Sequence, residues 1–297
     1  MTTAVAVLGT GRMGGAIARR LAASGFDLTV WDRTAKRAEA LKVGRTAPTP
    51  ADAIQNADIV ISSLTNEAAV REVYLGSHGA FATARPSLFI EMSTAGPESI
   101  DELSREARTR RLRLLEAPVL GSVPAVESGT LAVLVGGSQE DLAVARPVLE
   151  RLGEIHYVGG DFGSAARLKL VANTMLGITS AAAAELLAAG TAAGLEREQV
   201  FWALVRFAPA LKAREAGFMR GRHEPTMFAV HDLLKDLGLA LDVYERAAAA
   251  VPLTQEVRAL FAETASESGD LDISAIVNAY SGGTWGPQSV ESLRNAR

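Results

Sequence analysis

Residues 163–194 read GSAARLKLVANTMLGITSAAAAELLAAGTAAG, without a proline and with Arg167, Lys169 and Glu185 as the charges. The run predicts a helix of about thirty residues, roughly 45 Å long at 1.5 Å rise per residue, longer than a small domain is wide. Its residues are apolar or small on every face, so burial on most sides is expected. Lys169 and Asn173, four residues apart, stack on one face near its start. An ammonium and a carboxamide there read either as a solvated helix end or as functional groups at the mouth of a buried helix.

The two sides of this helix carry different patterns. Residues 4–8 are a short β-branched run, followed by Gly9-Thr10-Gly11-Arg12-Met13-Gly14 and an amphipathic helix closed by a glycine. Strands at 27–31, 59–63, 88–91 and 113–117 then alternate with helices at 34–41 and 98–110, the signature of a doubly wound α/β sheet. Strands at 131–135 and 155–158, flanking a helix at 139–152, would extend that sheet, and Gly159-Gly160 mark its end. Beyond the long helix no strand signal recurs, and 197–207, 210–219, 228–249, 253–267 and 273–279 all read helical. The expected architecture is a Rossmann domain, residues 1–162, followed by an all-α domain, 163–297, entered through the long interdomain helix. From about Ser281 the glycine-rich ending looks like a flexible tail, with Trp285 as a possible docking residue.

Composition narrows the function. A length of 297 residues suits two domains, and a net charge of -4 gives no basic footprint for nucleic acid or anionic lipid. No cysteine is present, which removes disulfides and thiolate metal sites and suits a reducing compartment. The N-terminus enters a glycine turn at once, unlike a secretion signal, so the cytoplasm is expected. The stretch 174–194 is long enough to cross a bilayer but is rich in alanine, with Glu185 and several hydroxyls inside, so a buried soluble helix is the better reading. His78, His156, His223 and His231 are scattered without metal-ligand spacing, and no metal is expected.

Gly9, Gly11 and Gly14 fit GxGxxG directly after a strand and at the opening of a helix, where backbone N–H groups and the helix dipole meet a pyrophosphate. Asp32 lies eighteen residues past Gly14, at the end of the second strand, where an acid bonds the ribose hydroxyls of NAD. Arg33, Thr34 and Lys36 follow, and these suit the 2′-phosphate of NADP. NADP is preferred on that balance and NAD is kept, with solvated loop charge as the competing reading for Lys36 and Arg37. The turns Ser93-Thr94-Ala95-Gly96 and Pro118-Val119-Leu120-Gly121-Ser122 sit where strands should end, the place at which open α/β sheets collect ligands, although ordinary turn chemistry explains them too. FAVHDLLKD, 228–236, puts His231 and Lys235 one turn apart on a helix face that hydration alone would also explain.

The GTGRMG turn, EMSTAG, EAPVLGSVPAVESGTLAVLVGG, the GSAARLKLVANTMLG helix and HDLLKDLGLALD, in this order, resemble the β-hydroxyacid dehydrogenase family, which includes 3-hydroxyisobutyrate dehydrogenase and the glyoxylate and succinic semialdehyde reductases. The resemblance runs from Val5 to Pro252. It implies a Rossmann domain, an all-α domain of the 6-phosphogluconate dehydrogenase type that helps form a homodimer or homotetramer, and an NAD(P)-dependent oxidoreductase acting on a small β-hydroxyacid, aldehyde or semialdehyde. By motif position Lys169 corresponds to the catalytic lysine and Asn173 to the substrate-orienting asparagine. Gly121, Ser122 and Thr94 fall on the substrate and nicotinamide turns. Phe228 and Asp236 fall where the second domain meets substrate, and Lys235 on a residue that reaches the cofactor. Gly9, Gly11, Arg12, Met13, Gly14, Asp32, Arg33, Thr34, Lys36 and Leu64 complete the implied cofactor set. Two departures stand out: Leu120 replaces the serine that usually bonds a substrate carboxylate, and Ala165 replaces a glycine frequent at the start of the long helix.

A lysine beside a nicotinamide can stabilise and protonate the oxyanion that grows as hydride reaches a carbonyl carbon, and accept the alcohol proton in reverse. Burial moves a lysine pKa downwards, into range for that task. Two other readings stay open: a related imine reductase, whose helix generally carries an acid or a tyrosine in place of the lysine, and a non-catalytic dinucleotide-binding module.

Overall fold

The structure is a computed structural model and describes residues 3–82 and 87–281, so the expected tail beyond Ser281, with Trp285, lies outside the described residues. The chain divides into two compact units, Met1–Lys169 and Leu170–Arg297. The division falls inside the long helix, whose opening residues through Lys169 belong with the first unit.

In the first unit, strands β1 (Ala4–Leu8), β2 (Asp27–Trp31), β3 (Arg45–Thr46), β4 (Ile59–Ser62), β5 (Leu88–Glu91) and β6 (Arg113–Glu116) pair in parallel in the order β3-β2-β1-β4-β5-β6. Helices α1 (Arg12–Ala23), α2 (Ala35–Leu41), α3 (Pro50–Ile54), α4 (Glu67–Leu75) and α5 (Pro97–Thr109) connect them. This is the dinucleotide-fold order, and its central strands are buried on both faces, which is why they read as continuous apolar runs rather than alternating ones. Val7, Ile17, Leu21, Ile61 and Ile90 build the core on one face. Leu8, Val60, Phe89 and Ile100 build the other, where Tyr74, Phe81 and Phe89 meet edge to face at centroid distances of 4.9 to 6.0 Å.

The sheet continues past β6 as expected, with a change of direction. Strand β7 (Val119–Leu120), helix α6 (Val123–Ser128), strand β8 (Leu131–Gly137), helix α7 (Gln139–Leu149) and strand β9 (Gly153–Gly159) follow. β6 and β7 run antiparallel along successive stretches of β8, and β9 pairs with β8 in parallel. The segment expected as a turn at 118–122 therefore begins as a short strand, with Val119 opposite Val133 and Leu120 opposite Ala132.

The long helix is α8 (Ser164–Ala192). After it come α9 (Arg197–Phe207), a 3-10 turn Pro209–Arg214, α10 (Glu215–Arg220), α11 (Val230–Arg246), α12 (Pro252–Ser268), a 3-10 turn Ile273–Ile276 and α13 (Val277–Ser281). The second unit is helical as the sequence indicated, but the helix expected over 210–219 splits into a 3-10 turn behind Pro209 and a short α-helix. Ala181, Ala184, Leu187, Phe218, Leu233, Leu237 and Phe261 form its core. Gly177 faces Leu233 and Leu237, which a Cβ there would meet at 3.5 to 3.6 Å, ordinary packing distance.

Burial of α8 is less complete than expected. Half of its most apolar window is buried, while Val171, Met175 and Leu186 are 50%, 63% and 50% exposed. The reason is geometric: the helices of this unit cover one flank of α8, and the other keeps its apolar side chains. Among the described residues α8 is the one helix long and apolar enough to cross a membrane, and its buried flank forms the core of a helical unit.

Candidate active site

The strand register lines up the segments that carry chemistry. Leu8 lies opposite Trp31 and Ser62, Ser62 opposite Glu91, Glu91 opposite Glu116, and Glu116 opposite Gly136. The turns that leave β1, β4, β5 and β6 therefore emerge side by side on the carboxyl edge of the sheet, the edge at which such sheets bind ligands. Gly9–Gly14, Leu64, Thr94 and Leu120–Ser122 all belong to these turns or to β7 beside them.

The glycine turn has the steric demands of a dinucleotide loop. Gly9 sits at φ +88, and a Cβ on it would strike the Ser63 carbonyl oxygen; a Cβ on Gly14 would strike the carbonyl oxygen of Gly9. Gly11 has open space where its Cβ would be, so another backbone or a ligand can approach, and as N-cap of α1 it offers no side-chain acceptor to the first N–H groups. These residues fit a bound pyrophosphate. Arg12 is exposed and Met13 half-buried.

Asp32 is turned inwards. Its Oδ2 accepts from the Thr10 N–H at 2.8 Å and the Thr10 hydroxyl at 3.1 Å, and its Oδ1 accepts from the Thr34 N–H at 2.8 Å. The carboxylate thus ties the glycine turn to the β2–α2 corner, where Arg33, Thr34, Lys36 and Arg37 are exposed.

Under the next two turns lies a buried polar cluster that the sequence reading did not single out. Glu91 Oε2 accepts from Ser62 Oγ at 2.5 Å, Ser62 Oγ and Tyr74 Oη share a hydrogen bond of 2.6 Å, and Glu91 Oε1 accepts from the Ser93 N–H at 2.7 Å. The Leu64 N–H in turn donates to Ser93 Oγ at 2.7 Å, so one carboxyl group braces the segments carrying Leu64 and Thr94. Burial pushes the Glu91 carboxyl up, opposed by bonds from Ser62 and Ser93; burial and the neighbouring Glu91 charge push Tyr74 up.

Lys169 is half-buried and donates from Nζ to the Val119 carbonyl oxygen at 2.7 Å. That carbonyl adjoins Leu120, half-buried, Gly121, exposed at φ +129, and Ser122, half-buried. The first unit therefore brings the expected lysine to the expected substrate turn.

In the second unit Asn173 is 5% exposed, which removes the solvated-helix-end reading for it. Its Nδ2 donates to Asp236 Oδ2 at 2.5 Å, and Lys235 Nζ lies 2.6 Å from Asp236 Oδ1. Asp236, itself buried, fixes the orientation of the carboxamide and pairs the neighbouring ammonium. His231, predicted on the face of Lys235, is exposed, and its ring would collide with a Cβ on Gly269. Phe228 is held by another acid: its N–H and that of Met227 donate to Asp272 Oδ2 at 3.1 and 3.2 Å, while Asp272 Oδ1 takes Arg214 Nε at 3.0 Å. Among the described residues no three His, Cys, Asp or Glu side chains group as metal ligands.

Comparison with known proteins agrees with this layout. The profile of the NAD binding domain of 6-phosphogluconate dehydrogenase matches residues 4–160, and that of the NAD-binding domain of NADP-dependent 3-hydroxyisobutyrate dehydrogenase matches 163–280. A 3-hydroxyisobutyrate dehydrogenase of Pseudomonas aeruginosa is 34% identical over 94% of this chain and 99% of its own length. An NAD-dependent L-serine dehydrogenase of the same species is 32% identical over 84% of this chain and 88% of its own. Among solved structures, the 3-hydroxyisobutyrate dehydrogenase of Mycobacterium tuberculosis with L-serine superposes with a TM-score of 0.78 at 28% identity, covering 94% of this chain and 99% of that one. Imine reductases share the fold at 20 to 21% identity with TM-scores of 0.60 to 0.62. A glycine turn of dinucleotide type on a doubly wound sheet, and matches along nearly the whole chain, make this protein a member of the β-hydroxyacid dehydrogenase family, an NAD(P)-dependent dehydrogenase.

Proposed function

We propose that the protein moves a hydride between NADP(H) and a small β-hydroxyacid, aldehyde or semialdehyde, with Lys169 as general acid and base. The observation that carries this reading is the hydrogen bond from Lys169 Nζ to Val119 O, which keeps the amine beside Leu120–Ser122 in the unit that also holds the glycine turn. The nicotinamide supplies or accepts the hydride. As the carbonyl carbon gains it, the π electrons move to oxygen, and Lys169 gives that oxygen a proton; in the oxidative direction the neutral amine takes the hydroxyl proton. Asn173, with its carboxamide oriented by Asp236, is assigned to hold the substrate. NADP is favoured over NAD because Arg33, Thr34 and Lys36 stand exposed at the corner, beside an Asp32 that is held by Thr10 and Thr34. The likeness to imine reductases supports the fold alone, and Lys169 is unlike their usual acid or tyrosine. A homodimer or homotetramer is what membership of this family implies.

Leu120 sets the substrate expectation. An apolar side chain in place of a hydroxyl leaves one carboxylate oxygen without a donor, a loss of about 1 to 3 kcal/mol in a desolvated site, or one to two decades in affinity. The enzyme should accept a bulkier or less polar carbonyl than its relatives do. Oxidation of NADPH is to be followed with glyoxylate, succinic semialdehyde, methylmalonate semialdehyde and cyclic imines, and reduction of NADP with 3-hydroxyisobutyrate and L-serine. Turnover of an aldehyde or hydroxyacid well above that of the imines is expected, and turnover confined to imines would overturn the assignment. Leu120→Ser should lower KM for small carboxylates at least tenfold, and an unchanged KM for all of them refutes the role given to Leu120.

A further inference from the structure

The helix that presents Lys169 lacks a cap of its own. Its first N–H groups have no partner within the helix, and the preceding Gly163, at φ +84, has no side chain to offer. The acceptor comes from fifty residues away: Glu116, with 0% exposure, takes the Ala165 N–H at 3.2 Å and the Ala166 N–H at 3.0 Å. Three residues further on, Val119 accepts Lys169 Nζ. Ala166 and Lys169 are three residues apart on α8 and so share a face. One short stretch, ending in the substrate turn, therefore grips both the start of the helix and the tip of its lysine.

Gly136 serves the same arrangement. It lies opposite Glu116 across β6 and β8, and a Cβ on it would run into Glu116 Oε1 and stand 2.8 Å from Cγ. The carboxylate keeps its place under α8 because the facing strand has no side chain there. Burial pushes the Glu116 carboxyl up, and the N–H groups of Ala166, Ala165 and Gly163, then the Arg167 charge, oppose that shift.

We propose that Glu116 is a positioning residue of the reaction: its carboxylate fixes the start of α8 so that Lys169 reaches Val119 O and, from there, the substrate oxygen. The proposal rests on the reading of Lys169 as proton donor. A carboxamide in place of the carboxylate would turn an N–H donor towards one of the helix N–H groups, shifting the helix end and releasing the amine. Gly136→Ala would displace the same carboxylate without altering its chemistry.

The test is a double-mutant cycle at saturating NADPH, with kcat, NADPH affinity and melting temperature read for the wild type, Glu116→Gln, Gly136→Ala, Lys169→Ala and Glu116→Gln with Lys169→Ala. Glu116→Gln and Gly136→Ala should each lower kcat about tenfold and leave NADPH affinity within twofold, because the Gly9–Gly14 turn is a separate element. In the Lys169→Ala background, Glu116→Gln should cost no more than a further twofold. A loss that multiplies fully in the double variant assigns Glu116 a structural role only and overturns the proposal. A second readout needs no turnover: reductive methylation of Lys169, followed by mass spectrometry of its peptide, should speed up at least threefold in Glu116→Gln and Gly136→Ala. If Lys169→Ala alone keeps near-normal turnover, the proton-donor reading fails, and the methylation rate still decides whether Glu116 positions the amine. Unchanged methylation together with unchanged kcat in both variants refutes the positioning role.

Discussion

Lys169 Nζ donates to the Val119 carbonyl oxygen at 2.7 Å, which holds the amine beside Leu120–Ser122, where the proposed proton transfer would take place. Lys169→Ala should lower turnover by about two to four decades, the usual share of a positioned proton donor. NADPH affinity should change less than threefold, since the cofactor turn belongs to other residues. Lys169→Arg should not restore the rate, because a guanidinium keeps its proton near neutral pH. Measured turnover of Lys169→Ala close to wild type on a confirmed substrate would sink this role.

At the scale of elements, the proposed preference for NADP is assigned to the β2–α2 corner. Asp32 bridges Thr10 and Thr34 and so faces the turn, while Arg33 and Lys36 stay exposed on the corner. Replacing both Arg33 and Lys36 with alanine should weaken NADPH binding by tenfold or more and NADH binding by less than twofold, with the NADPH loss shrinking at high salt. Fluorescence titration of both cofactors measures this, and NADH binding tenfold tighter than NADPH in the wild type reverses the preference. The sequence made this corner visible because its residues are contiguous. It also made the central strands legible, since IVIS and LFIE are apolar runs buried on both faces. Short elements such as β3, β7 and α6 left no periodic signal, being two to six residues long. The roles of Glu91 and Glu116 were hidden for another reason. Each acid ends a buried strand in plain view, but Ser62 lies 29 residues from Glu91, and Ala165 and Ala166 lie 49 and 50 residues from Glu116. Asp272 is alike, reaching Phe228 and Arg214 across 44 and 58 residues. Pairings of that range depend on topology, which periodicity does not carry.

At the scale of the whole molecule, the second unit leaves more apolar surface in water than its own packing explains. Met175, Leu186, Leu195 and Trp202 are 63%, 50%, 58% and 59% exposed, and Phe207 is 95% exposed. Arg206 lies over the Trp202 ring at 4.6 Å, which shields one of these side chains in part and leaves Phe207 uncovered. Scattered exposed leucines are ordinary, but large side chains along one flank of α8 and at the end of α9 are where the proposed association of copies is expected to bury surface. Burying a phenylalanine or leucine contributes about 1.5 to 3 kcal/mol, so a handful of them offsets much of the entropy lost on association. A second copy of the chain is the occupant that the family resemblance implies, and the small residues Ala181–Ala184 in the same helix are already spent inside their own unit, three of the four being buried. The contact should therefore use Leu186, Met175 and Phe207 rather than the alanine run. Light scattering at micromolar concentration should give the mass of a dimer or tetramer. Leu186→Glu and Phe207→Glu should each shift the equilibrium towards monomer, because a charge taken into such a contact has no partner there. A wild-type monomer at that concentration removes the claim, and a stable oligomer untouched by either substitution moves the interface to another face of the unit.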